Sequence, residues 1–535
     1  MMKNISIKKL SLLGGVLLTS LFTSCTANFD KWNVNPDEVT EEVMQYDDLK
    51  TGAYFVQMLK NVFPIEQLTA KPEIGASVYQ TMQNLTGDSF AGYTGAIGQW
   101  FGGRNFTTYD MSIDWRNMAF ERGFVGVMPS WKTITDVAKD YSPATCALAT
   151  IVKVEAMHRI SDMYGPLPYL NFGKQLSQND YDGQKEIYDS FFTELGEAID
   201  VLTTFNSQNP SATVLAKYDY IYSGKVENWI KFANTLRLRL AMRIVYADVA
   251  KAQLEAEKSV NHPVGVMTAT SDIARLNKGS DLNYRHPLAV CLIEFDDVRM
   301  GATMDSYLNG YKDPRLSVYF KPATSGKYTG VRNGILINSK DTYAKGPYSL
   351  LNIAYSDAIV WMNPAEAYFL RAEGALRNWN MGGTAKALYE DGVRKSFELC
   401  GASGADAYLA NNTNIPLKYE DPSGANSTDA RGNITILWDE NAGFEKKLER
   451  IITQKWIAIY PDGQEAWSEF RRTGYPKIFP NAVNYSGGKI NTEIQVRRVP
   501  FSAKEYSTNA SGVATGVAQL KGDDHGGTKL WWDKK

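Results

Sequence analysis

Apolar residues recur at helical spacing in several long runs, and this periodicity constrains the chain more than any other feature. Across residues 186–202, Ile187, Phe191, Leu195, Ile199 and Leu202 follow one another at intervals of four, four, four and three, which places them on one helix face. Residues 225–246 repeat the pattern with Trp229, Phe232, Leu236, Leu240 and Ile244. At 363–379, Asn363 as N-cap, Pro364 in the first turn and Glu366 behind it open a helix. Its apolar face runs Phe369, Ala372, Leu376, Trp379. Two further runs hold Ala385, Leu388, Val393 and Phe397, then Leu448, Ile451, Ile452, Trp456 and Ile459. Small residues such as Ala372, Gly374 and Ala375 allow close helix packing. The expectation is a mainly α fold of tetratricopeptide-like helix pairs, although a strict repeat signature is absent.

Between these runs lie Gly-, Asn- and Tyr-rich stretches at 83–112, 261–361, 401–443 and 480–528. They read as long irregular loops, which at such lengths are functional or disordered, and their aromatic content argues for the former in the first two. No Pro- or Ser-rich linker divides the chain, so residues 41–535 are expected to form one domain.

The N-terminus carries an export signal over residues 1–24. Lys3, Lys8 and Lys9 precede an apolar run from Leu10 to Phe22, too short to span a bilayer. It ends Leu21-Phe22-Thr23-Ser24-Cys25, which resembles a lipobox with Cys25 as the acylated mature N-terminus and residues 25–40 as a tether. Several acyl chains give stable anchoring. Loss of the signal removes three lysines and no acid, taking the formal charge from −2 to −5. A near-neutral to acidic chain offers nucleic acid no general attraction. The other cysteines, Cys146, Cys291 and Cys400, are odd in number, far apart and set among apolar residues, as buried small hydrophobes are.

Catalytic signatures are missing. There is no His-Glu-x-x-His, paired CxxC, EF-hand loop or GxSxG elbow, and His158, His262, His286 and His525 are scattered. Gly95, Gly98, Gly102 and Gly103 match no phosphate-binding pattern. No enzymatic activity and no cofactor are expected, with a structural Ca²⁺ left open. Arg237, Arg239 and Arg243 read as structural, paired with acids such as Glu366 or Glu373 on a neighbouring helix.

Several motifs, in order, resemble the SusD/RagB family of outer-membrane lipoproteins. They are Asn33-Val-Asn-Pro36, Ser161-Asp-Met-Tyr-Gly-Pro-Leu-Pro-Tyr169, Tyr188-Asp-Ser-Phe-Phe-Thr-Glu-Leu195, and Asp219-Tyr-Ile-Tyr-Ser-Gly224 leading to Trp229 and Arg239. Asp313-Pro-Arg315, Ala365-Glu-Ala-Tyr-Phe-Leu-Arg-Ala-Glu373, the segment Tyr460 to Gly474 and Trp531-Trp532 complete the set. Pro166 stands where family members often carry an acid. The resemblance implies about four tetratricopeptide-like helix pairs and a loop-rich face carrying the ligand site. It also implies an outer-membrane position facing the cell surface, and a SusC-like TonB-dependent transporter as partner, with this chain as its lid. The ligand implied is an oligosaccharide, the alternative an oligopeptide; a surface glycoside hydrolase is the reading from a different class.

Sugar rings stack on aromatic faces while their hydroxyls need polar partners. Two loop stretches have that composition. One holds Tyr93, Trp100, Phe101, Arg104 and Asn105; the other holds Tyr307, Tyr311, Tyr343 and Tyr348, with Asn309 and Arg332 nearby. Trp229, Trp379, Trp456 and Trp467, on amphipathic helices, are expected in the core.

Overall fold

The helices begin and end where local chemistry places them. In this computed structural model, which describes residues 48–65, 75–174, 178–280 and 282–535, the main helices are α1 (Val125–Ala138), α2 (Pro143–Tyr164), α3 (Gln184–Gln208), α4 (Val226–Arg243) and α5 (Val249–Val260). They continue with α6 (Pro364–Leu376), α7 (Ala385–Cys400), α8 (Phe444–Ala458) and α9 (Gly463–Thr473). The backbone amide of Glu366 donates to the Asn363 side chain, capping α6 as its sequence requires, and Asp462 caps α9 through the Glu465 amide. The export signal, Cys25 and the tether lie outside the described residues.

Consecutive helices pack as hairpins: α2 on α3, α4 on α5 and α6 on α7, with α4 and α8 both lying against α6. The close approach of α6 and α7 depends on Gly392, where a Cβ would come within 2.9 Å of the Phe369 ring. The apolar stripes read from the sequence face the core, with Ile187, Phe191, Leu195, Ile199 and Leu202 on α3 and Phe232, Leu236 and Leu240 on α4 buried, and Leu376 and Ala385 partly buried against it. Trp229, Trp379, Trp456 and Trp467 are buried as well. The mainly helical, paired-helix architecture is therefore as the periodicity indicates. Residues 51–535 group as one compact unit. Cys291 is fully buried, while Cys146 and Cys400 are half-buried and all three are free thiols.

A buried ionic network ties the helices together. Arg239 on α4 donates Nε and Nη2 to Glu366 Oε1 and Oε2 on α6, at 2.9 and 2.6 Å. Arg472 on α9 makes the same two-pronged contact with Glu373 on α6, at 2.7 and 2.6 Å. Arg243 reaches Glu465 and Glu469 on α9, and Lys455 on α8 sits 3.3, 3.0 and 3.3 Å from Glu366, Glu465 and Glu469. Burial alone would raise the Glu366 carboxyl, but Arg239 and Lys455 hold it below the ordinary carboxylate range. The arginine motif of α4 is thus an interhelix clamp, with Glu366 as the Arg239 partner.

The stretches read as irregular loops contain more structure than their composition suggests. Residues Gln80–Asp88 form a π-helical segment, Ala302–Tyr311 an α-helix, and Ala503–Thr508 and Ala510–Leu520 two more. Strand Ala274–Leu276 pairs antiparallel with Ile359–Met362. Helix 302–311 carries Thr, Ser, Asn and Gly, which favour turns in isolation, yet Met304, Tyr307, Leu308 and Tyr311 share a buried face. Burial of that face overrides weak propensity.

Candidate functional site

A short antiparallel ribbon delivers the first candidate loop to the surface. Strand β1 (Thr94–Ala96) pairs with β2 (Val298–Met300) in the register Thr94 to Met300 and Ala96 to Val298. Gly95 lets the ribbon press against Val331, whose carbonyl oxygen would stand 2.5 Å from a Cβ there. Beyond β1 the backbone turns sharply at Trp100–Gly103, with Phe101 at φ 52° and Gly102 and Gly103 at positive φ. A bulky side chain at positive φ is disfavoured, and the surrounding bracket holds it there.

Asn105 is the centre of that bracket. Its side-chain oxygen accepts from the amide and hydroxyl of Thr107, at 3.0 and 2.7 Å, while its own backbone amide donates to the Thr108 hydroxyl at 3.1 Å. The Thr108 hydroxyl in turn donates to the Gly103 carbonyl at 2.6 Å. On the far side, Gln99 Nε2 donates to the carbonyls of Ile337 and Asn338, each at 2.7 Å. The turn is fastened at both ends.

What it presents is aromatic. Phe101 is 60% exposed, and Trp100 is half-buried beside it. Both rings meet Trp115 edge-on, at centroid distances of 5.5 and 5.7 Å, and Phe106 backs Trp115 at 5.8 Å. Exposed Leu336 extends the apolar ledge past Gly103. Arg104 lies over the Tyr485 ring at 4.7 Å and gives its Nε to Asp110 at 3.1 Å. A cleft of about 390 Å³ opens alongside, walled by Arg104, Arg116, Tyr485, Lys489, Asp110 and Asp524 among others. Burial acts to raise the Asp110 carboxyl, yet hydrogen bonds from Ser112 and the Arg104 charge hold it below the ordinary range.

The sequence-derived candidates separate. Trp100, Phe101 and Arg104 come together at the surface, and Asn105, buried, shapes their loop rather than facing a ligand. Tyr93 is fully buried and its hydroxyl donates to the Trp456 carbonyl, so no ring face is free. Tyr307 and Tyr311 are buried on the 302–311 helix, packed edge-on against each other, with Tyr307 also against Trp456. Tyr343 and Tyr348 pack with Ile97, Val331 and Ile335 in a small cluster behind the ribbon, and the Tyr348 hydroxyl donates to Asp421 at 2.7 Å. Asn309 bonds to Asp305 and the Tyr328 carbonyl, and Arg332 to the carbonyls of Pro480 and Asn426. The second candidate stretch is therefore scaffold. Trp115 and Tyr485, absent from the sequence reading, complete the site; Tyr485 falls in a stretch, 480–528, whose length already marked it.

A larger cleft, about 510 Å³, is bounded by Phe120, Phe124 and Phe172. Phe120 and Phe124 stack on each other at 4.8 Å and are buried, which leaves a ligand little ring face. Among the described residues no three His, Cys, Asp or Glu side chains are grouped to hold a metal ion, and no helix is long and apolar enough to cross a membrane.

A family model described as Susd and RagB outer membrane lipoprotein matches residues 31–533. A chitin-binding SusD homologue from Flavobacterium johnsoniae is 43% identical, with a TM-score of 0.86 over 91% of this chain and 99% of that one. SusD homologues from Bacteroides uniformis and Bacteroides vulgatus are 37% and 36% identical, with TM-scores of 0.85 and 0.86. The first covers 91% of this chain and 100% of its own, the second 92% and 99%. No protein among curated sequences matches.

Proposed function

The chain belongs to the SusD/RagB family of outer-membrane lipoproteins, and from that premise we propose that it captures an oligosaccharide at the cell surface without cleaving it. The observation that carries this reading is Phe101. A large ring, mostly exposed, is held at an unfavourable backbone conformation beside Trp100 on a loop bracketed at both ends. Rigid aromatic faces of this kind suit the C–H faces of sugar rings, and Arg104 and the cleft provide polar partners. The chitin-binding relative supports the same ligand class.

Binding without catalysis fits Asp110, the acid paired with Arg104. Glycoside hydrolysis needs two carboxyl groups, one of them kept protonated by a raised pKa. Asp110 is shifted the other way. Delivery follows from the family reading: anchored through Cys25, the chain would sit over a SusC-like TonB-dependent barrel as a lid and close when ligand contacts both, since only differential affinity shifts such an equilibrium.

A thermal-shift screen across neutral and charged oligosaccharides and oligopeptides tests the ligand class, because ligand at 100 times its Kd adds about 2.7 kcal/mol to stability. Stabilisation by peptides alone would overturn the glycan reading, and release of reducing ends would overturn the non-catalytic one. Co-purification of a TonB-dependent barrel with the lipidated chain tests the partnership.

A further inference from the structure

The cleft beside the aromatic turn is rich in hydrogen-bond donors and has few free acceptors. Three cationic side chains line it, Arg104, Arg116 and Lys489, against two carboxylates, Asp110 and Asp524. Both carboxylates are already engaged. Asp110 accepts from the Ser112 amide at 3.1 Å, the Ser112 hydroxyl and Arg104 Nε. Asp524 accepts from the buried Arg498, from the Phe501 amide at 3.1 Å and from the Tyr506 hydroxyl at 2.8 Å.

The cations are not engaged to the same degree. Arg104 commits only Nε and spreads its plane over Tyr485. The Arg116 side chain, half-buried on the turn Asp114–Asn117, donates to no acceptor among the described residues, and its Nε is closed off from solvent. Lys489 is exposed and forms no ion pair among the described residues. The Arg116 guanidinium has no acceptor on the protein among the described residues, so its charge stays available to an anion supplied by a ligand. A planar guanidinium also matches a two-oxygen anion in geometry. Arg116 adjoins Trp115, the ring that both Trp100 and Phe101 contact, so cleft and ledge can serve one ligand.

We propose that the oligosaccharide taken at this site carries an anionic substituent, a carboxylate or a sulfate, seated in the cleft by Arg116, Lys489 and Arg104 while a sugar ring rests on the Trp100–Phe101 ledge. This inference rests on the glycan-capture reading above and narrows it. A neutral glycan would leave Arg116 unmatched.

Titration calorimetry on the full-length protein with three hexasaccharides tests it: oligogalacturonate for carboxylate, a sulfated galactan for sulfate, and chitohexaose as the neutral probe. At low salt, at least one anionic probe should bind about tenfold more tightly than chitohexaose, with the advantage shrinking at high salt as screening requires. Arg116→Gln should remove most of that advantage, weakening the anionic probe several-fold more than chitohexaose. Lys489→Gln, on an exposed side chain that folding does not need, should weaken the anionic probe in the same direction. Chitohexaose binding as tightly as both anionic probes, or Arg116→Gln weakening all three equally, overturns the anionic cleft while glycan capture stands. Binding of none of the three, together with stabilisation by peptides alone in the thermal-shift screen, overturns both.

Discussion

The indole of Trp100 lies over the backbone of Gly98, so close that a Cβ at position 98 would stand 2.5 Å from the ring. The absence of a side chain at 98 is therefore what lets the indole lie here, edge-on to Trp115. Gly98→Ala should push the indole off its seat, weakening oligosaccharide binding nearly as far as Trp100→Ala, for which we expect a loss of about 1–3 kcal/mol. Calorimetry with any bound glycan and intrinsic fluorescence check this pair; an unaltered Trp emission in Gly98→Ala would count against the seat.

Phe101 at φ 52° separates stability from binding. Phe101→Gly and Phe101→Ala both delete the ring and should weaken binding alike. Glycine alone accepts the left-handed backbone freely, so Phe101→Gly should be the more stable of the two by about 1 kcal/mol. Denaturant midpoints read the difference, and equal midpoints would mean that the turn relaxes once the ring is gone.

Glu366 joins α4, α6 and α8 through Arg239 and Lys455. Glu366→Gln removes the carboxylate that Arg239 hydrogen-bonds and leaves the buried guanidinium only Glu155 and Glu465, each at 3.7 Å, a change that costs about 3–5 kcal/mol. Urea unfolding followed by circular dichroism should register a loss of that order. A shift under about 1 kcal/mol would place the clamp among contacts that solvent compensates.

Asp88 closes the π-helical segment that leads into β1, held by Gln83 Nε2 at 3.2 Å and Asn84 Nδ2 at 3.3 Å. Burial pushes its carboxyl up to about 7, against partial opposition from those amides. A raised carboxyl binds its proton more tightly in the folded state, so its contribution to stability falls as pH rises from about 4 to about 7. Asp88→Asn should gain on the wild type across that window and run parallel to it above. The paired buried carboxylates act in the opposite sense: with Glu366 and Glu469 of the network, Asp162 beside Arg243 and Asp462 beside Arg159 all held low, stability present above about 4 is lost as pH falls below it. Thermal unfolding between pH 3 and 9 resolves both limbs.

The helix pairs were legible because a burial period of three to four residues is written locally, and Ile187 to Leu202 needs no partner to reveal its face. The same signal was available in Met304, Tyr307, Leu308 and Tyr311, but the Gly- and Asn-rich composition around them obscured it. Arg239 and Glu366, 127 residues apart, could be anticipated as partners because two charges on apolar helix faces have to find each other.

The site was legible only in part. Composition singled out Trp100, Phe101 and Arg104, yet it gave equal weight to Tyr93, Tyr307, Tyr311, Tyr343 and Tyr348, whose rings pack inside. A tyrosine in a loop-like sequence can face either way, because its ring gains from burial and its hydroxyl needs only one acceptor, such as the Trp456 carbonyl that Tyr93 finds. By itself the sequence determined the helical class, the paired-helix packing and the family, and it pointed to a structural role for the arginines of α4. Tertiary structure alone decided which aromatic rings share a solvent-facing ledge, and that Tyr485, from a distant stretch of the chain, joins Trp115 and Arg116 around the Trp100–Arg104 turn. Exposure depends on what the rest of the chain covers, and no local pattern encodes it.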